Sequence, residues 1–191
     1  SNVLFLLGTL VFLLVWGNRY SIQNFLDPVY TQGIWVIFFI GLAHLVEVMS
    51  SVNYQIIAIT PYFKFNLYMG AITIVLLIAS NYFFINLYGI VGVAIGTLVS
   101  MVLVNLARHA FLLRKYQLNP FSNSTMRILI LGLIVFGISE ALPNWENIYL
   151  SAVFKTVLIT SIFIPTAYLL KCSEDFNLVA DKYLRKLKRK F

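Results

Sequence analysis

Six long apolar runs, joined by short loops that hold almost all of the charge, constrain this chain more than any other feature. They span Val3–Trp16, Gln32–Ile59, Phe65–Phe84, Gly89–Leu113, Met126–Ala141 and Leu150–Leu170. A hydrocarbon core of about 30 Å needs about 20 helical residues at about 1.5 Å each. Four runs reach that length unaided, and Met126–Ala141 is short but can borrow Leu142 and the interfacial Thr125. Val3–Trp16 falls short and reads as the remaining end of a longer helix. It lacks the basic leader and small-residue cleavage site of a secretory signal. A 191-residue chain that is 60% hydrophobic and 11% charged cannot cover a water-exposed surface. The expectation is an all-α polytopic transmembrane bundle of six spans, surrounded by membrane lipid.

Charge sets the orientation. Lys64, Arg108, Arg114, Lys115, Arg127 and seven cations in Lys171–Lys190 fall on one side of an alternating six-span path. Arg19 and Lys155, with Asp27 and Glu146, fall on the other. Loops rich in Lys and Arg stay cytoplasmic, so the C-terminus is expected inside. Trp16, Tyr20, Tyr30 and Trp35 bracket one outer loop, and Trp145 and Tyr149 mark another, at the depth amphipathic rings favour. Within Gly17–Tyr30, the residues Ile22, Phe25, Leu26 and Val29 share a helical face suited to the interface. The +7 formal charge sits beside a span, which suits anionic headgroups rather than nucleic acid. Cys172 is the single cysteine, so no intrachain disulfide or Cys-based metal site exists.

The second run carries His44, Glu47, Ser50, Ser51, Asn53, Tyr54 and Gln55. At 3.6 residues per turn, His44, Glu47, Ser51 and Tyr54 or Gln55 form one stripe. An ionised carboxylate at membrane depth is costly unless paired, hydrated or protonated. The stripe is therefore expected to face a water-filled cavity, with interhelical hydrogen bonding as the alternative. His44, three residues before Glu47, is placed to pair with it. Two such ligands do not make a metal site. Gly92, Gly96 and Ser100 form a small-residue ladder that admits a neighbouring helix. Asn105 and Arg108 follow on the same run. Lys155, in the last span, is expected to snorkel outward, and Pro165 to bend that helix. No phosphate loop, HExxH or repeated Cys/His spacing appears, and no loop gathers catalytic groups, so neither an enzyme nor a cofactor is expected.

The stretch Tyr88–Phe121 (YGIVGVAIGTLVSMVLVNLARHAFLLRKYQLNPF) resembles the C-terminal part of Wzx-type bacterial oligosaccharide flippases, of the multidrug/oligosaccharidyl-lipid/polysaccharide exporter superfamily. The marks are Tyr88-Gly89-Ile90-Val91-Gly92 entering a small-residue helix and a basic turn ending Leu118-Asn119-Pro120-Phe121. Upstream, Gly41-Leu42-Ala43 through Asn53-Tyr54-Gln55-Ile56, and Tyr62 to Tyr68, are similar to the same group. The resemblance covers 16–121, and the last two spans only by length and position.

It implies the C-terminal portion of a fourteen-helix, two-lobe transporter of the bacterial inner membrane, whose N-terminal lobe lies upstream. Residues 1–121 would then be helices of the C-terminal lobe, 122–170 two additional helices and 171–191 a basic cytoplasmic tail. The implied cargo is a lipid-linked oligosaccharide for surface polysaccharide or O-antigen. His44, Glu47, Asn53, Gln55 and Asn105 would face its cavity, and Arg108 would meet its diphosphate. Two other readings stand beside it, a multidrug/cation antiporter and a non-transporting membrane scaffold.

Overall fold

The computed structural model describes residues 2–25, 33–117, 123–145 and 147–188, with side chains to 182. Leu26, Asp27, Val29, Tyr30, residues 118–121, Glu146 and the 189–191 end of the tail lie outside the described residues. Among the described residues the chain is all helical: α1 (Asn2–Gly17), α2 (Arg19–Phe25), α3 (Gly33–Met49), α4 (Ser51–Ala58), α5 (Phe63–Tyr116), α6 (Asn123–Ala141), α7 (Ile148–Leu169) and α8 (Glu174–Lys188). Three of these helices are long and apolar enough to cross a membrane. The number becomes five if α1 with α2, and α3 with α4, each count as one bent span. By length and composition this is a membrane-spanning protein.

The helices form two compact units, one of residues 22–120 and the other of residues 2–21 with 121–191. In the first unit, α5 is two helical arms rather than one rod. Gly89 breaks it with φ 59° and ψ −139°, a combination open mainly to glycine. Residues on either side then face each other in reverse order. Ser80 Oγ donates to the Gly96 carbonyl at 3.0 Å and meets Ser100 Oγ at 2.8 Å. Further from the turn, the Phe65 and Phe111 rings stack with centroids 4.0 Å apart.

Missing side chains make this approach possible. A Cβ on Gly92 would lie 1.9 Å from the Phe84 carbonyl oxygen, and one on Gly96 would lie 2.6 Å from Asn81 Oδ1. The partner of the small-residue ladder is thus the preceding arm of the same helix. That first arm buries little beyond Asn66 and Met69, and leaves Leu67, Ile74, Val75, Ile78, Tyr82 and Phe83 exposed. Such a surface suits lipid or further helices.

In the same unit the second apolar run breaks at Ser50, where α3 and α4 meet at 41°. Ser50 takes φ −97° and ψ 4°, and its carbonyl accepts a tight bond from the Asn53 N–H at 3.0 Å. Ser and Asn offer the backbone competing hydrogen bonds and weaken helix continuity. The Ser50, Ser51, Asn53 cluster is therefore where the span bends.

In the second unit α1 packs on α6 and α7. Its core is Leu6, Leu13, Ile128, Leu131, Val135, Ile159 and Phe163, all almost fully buried. Gly132 makes room for Thr9, and Gly17 for Ile159 and Ser139. At one end Arg19 makes a two-pronged pair with Glu140, 2.6 Å on each side, and Trp16 Nε1 donates to the same carboxylate at 2.7 Å. Asn147 caps α7 by accepting the Leu150 N–H at 3.2 Å.

Lys155 is 4% exposed and donates to Asn144 Oδ1 at 2.6 Å. The ammonium thus reaches toward the loop end of α7, the direction snorkelling requires, but it ends on a protein amide and under protein cover. α7 runs unbroken through Pro165.

Candidate functional site

The polar stripe of the second run forms one wall of a cavity of about 290 Å3 in the first unit. α3 contributes Glu47, the break contributes Ser50, and α4 contributes Ser51, Tyr54 and Gln55. The second arm of α5 supplies Asn105 and Arg108 from the facing side. Glu47, Ser51, Tyr54 and Arg108 thus meet although the two helices are separated by a whole hairpin arm in sequence. That arm also helps position the wall, because Asn66 Nδ2 donates to the Tyr54 carbonyl at 2.9 Å.

Two features define what the cavity offers. The Arg108 guanidinium carbon lies 5.4 Å from the centre of the Tyr54 ring, a cation–π contact that holds the cation without neutralising it. Arg108 Nε and Ser51 Oγ are buried atoms with no hydrogen-bond partner among the described residues. Buried polar atoms in native proteins almost always find a partner in protein, water or ligand. The cavity therefore presents a guanidinium, a carboxylate, hydroxyls and amides, a set suited to binding a polar molecule of mixed charge.

The six residues expected to line a substrate cavity fall into two groups. Glu47, Gln55, Asn105 and Arg108 line this one, whereas His44 and Asn53 do not. His44 sits one turn away, exposed, with Nδ1 3.3 Å from Glu47 Oε2. Asn53 is 1% exposed and packs inward. Asn53 lies about 200° from Ser51 even on a straight helix, so it stands off the stripe, whereas Glu47, Ser51, Tyr54 and Gln55 continue along it across the bend. Among the described residues no group of three His, Cys, Asp or Glu side chains is placed to hold a metal ion.

One element was not anticipated. Two turns beyond Arg108, Lys115 Nζ lies 5.5 Å from the Tyr62 ring centre. Tyr62 also meets Phe111 edge-on at 5.7 Å and Tyr116 at 6.3 Å. The signal was present in the spacing of Arg108, Phe111 and Lys115, which places all three on one side of the helix. Comparison with known proteins adds nothing to this geometry, since no family model, curated protein or solved structure matches the chain.

Proposed function

We propose that this chain is the C-terminal part of a membrane transporter that moves a lipid-linked oligosaccharide across the bacterial inner membrane, for surface polysaccharide or O-antigen assembly. The observation that carries the reading is the polar cavity on helices that are otherwise apolar. Ionisable groups at membrane depth are costly and mark substrate or ion paths. A broken span beside such a cavity is the arrangement transporters use to expose backbone and polar side chains to cargo. At about 290 Å3 the cavity sits at the small end of ligand sites, about 300–1,000 Å3. It accommodates part of a headgroup, and the rest belongs to the lobe upstream.

The reading assigns six crossings: α1 with α2, α3 with α4, the two arms of α5, α6 and α7. These are the last six of fourteen, and the excess of Lys and Arg on one side puts the C-terminus in the cytoplasm. No bond in the cargo is made or broken. Arg108 meets the anionic diphosphate, while Glu47, Gln55 and Asn105 meet sugar hydroxyls, and the lipid tail stays in the bilayer.

A second reading draws on the exposed His44–Glu47 pair. A carboxylate beside a histidine is suited to exchanging a proton for a cation, as in a multidrug/cation antiporter of the same superfamily. Replacing Glu47 by Ala in the complete transporter is expected to reduce glycolipid translocation at unchanged expression; undiminished translocation removes Glu47 from the mechanism. Loss of surface glycan on deletion supports the flippase reading, and proton- or sodium-driven drug efflux from vesicles supports the antiporter. If cavity variants export normally and only loss of 171–191 abolishes export, the chain is a scaffold.

A further inference from the structure

The segment after α7 is a directed helix rather than a loose basic tail. α7 ends in a paired stop: the Lys171 N–H donates to the Tyr168 carbonyl and the Cys172 N–H to the Ala167 carbonyl, each at 3.1 Å, with Lys171 at φ 49°. This six-to-one and five-to-two pattern satisfies the last carbonyls and turns the chain sharply. Cys172 and Ser173 are buried in the elbow. Ser173 then opens α8, accepting the Asn177 N–H at 3.0 Å.

Three further ties hold the elbow. Tyr168 Oη donates to Asp181 Oδ1 at 2.5 Å, Asn177 Nδ2 to the Tyr168 carbonyl at 3.1 Å, and Arg127 to the Leu170 carbonyl at 3.0 Å. α8 therefore leaves the end of an apolar span in a defined direction.

Its composition says what it meets there. The helix is polar taken as a whole, yet strongly two-faced. Phe176, Val179 and Ala180 share one face, with Val179 more than half exposed. Leu169 and Leu170, at the joint, are exposed as well. Glu174 and Asp175 occupy the first turn, and Lys182, Arg185, Lys186 and Lys188 follow in the sequence. One apolar face, few apolar residues elsewhere and many cations together describe helices that lie in a membrane interface.

We propose that α8 lies in the plane of the leaflet at which α7 ends, its apolar face at the headgroup–acyl boundary and its cations on anionic phospholipid headgroups. The elbow positions it, and α7 sets its depth. The inference is independent of what the protein transports.

The test uses the full chain in liposomes of phosphatidylcholine, with or without one-third phosphatidylglycerol. Single cysteines replace Val179 or Leu178 in a Cys172→Ala background and carry spin labels. In anionic vesicles the label at 179 is expected to be reached by oxygen and shielded from a water-soluble nickel chelate, and the label at 178 to show the reverse. Replacing Lys182, Arg185, Lys186 and Lys188 by Gln lowers the ratio of inserted to free helix about fivefold for each charge removed.

Equal aqueous access at both positions overturns the proposal, as does indifference to vesicle charge. A label at 179 shielded from both reagents also overturns it, because a protein surface would then be the occupant. Amide exchange of the unmodified chain gives an independent readout. Protection across α8 is expected to rise in anionic vesicles, and unchanged protection counts against the proposal.

Discussion

Gly92→Ala probes the tightest glycine contact among the described residues. The added Cβ would lie 1.9 Å from the Phe84 carbonyl oxygen and 2.4 Å from its carbonyl carbon. Ordinary contact begins near 3.4 Å, so the two arms of α5 must separate by about 1.5 Å. The obstacle is backbone, and no rotamer change relieves it. Overpacking of this kind costs about 1–3 kcal/mol, and the upper end applies where neither side can yield.

Separation would also stretch the Ser80 bonds to the Gly96 carbonyl and Ser100, each worth about 0.6 kcal/mol between helices in a bilayer. The sum is about 3–4 kcal/mol, more than a hundredfold in the unfolding equilibrium. The assay is reversible unfolding in mixed micelles, with Gly70→Ala as control because no atom lies within 4 Å of a Cβ there. The control should match or exceed the parent, since Ala outranks Gly in a helix by about 1 kcal/mol. If Gly92→Ala is as stable as Gly70→Ala, the arms do not pack as described and the hairpin reasoning is refuted.

Three other outcomes follow from single sites. Gly89→Ala meets no neighbour but must hold φ 59° with ψ −139°; strain of about 1–3 kcal/mol should appear in the same unfolding assay and should persist as larger side chains are tried. Asn144→Ala strips the buried Lys155 ammonium of its hydrogen bond and should cost about 1–3 kcal/mol, whereas Lys155→Met should be neutral or stabilising because it removes the buried charge altogether; equal losses in the two variants would contradict the buried geometry. Burial pushes the Cys172 thiol up, with Arg127 pulling weakly the other way. A raised thiol favours the folded state fully below its ordinary value of about 8.5 and loses that advantage as pH rises through the raised value. The stability difference between the parent and Cys172→Ala should therefore shrink only in alkaline solution, and maleimide should label Cys172 slowly until the protein unfolds.

Much of the architecture was legible in the chain because apolar length is a local property. The runs ending near Trp16, Leu113, Ala141 and Leu170 reappear as helices whose ends differ by a few residues. The cavity was legible in part. Glu47, Gln55, Asn105 and Arg108 stand out as polar residues within apolar runs, and these four line it. Asn53 stands out equally and is buried elsewhere, because two residues past Ser51 it projects from the opposite side of the helix. The contact of Lys115 with Tyr62 is not legible in the chain, since it depends on how the arms of α5 close.

The sequence by itself determined the solvent of this protein, the number and rough extent of its apolar segments, and which side chains are too polar to face acyl chains. These follow from transfer free energies that act residue by residue. Only the tertiary structure decided that α1 joins α6 and α7, that Gly89 folds α5 back so that Gly92 meets Phe84, that Lys155 ends on Asn144, and that α8 leaves α7 at a latched elbow. Each depends on contacts between residues far apart in the chain or on one backbone torsion, and neither is encoded in local hydropathy.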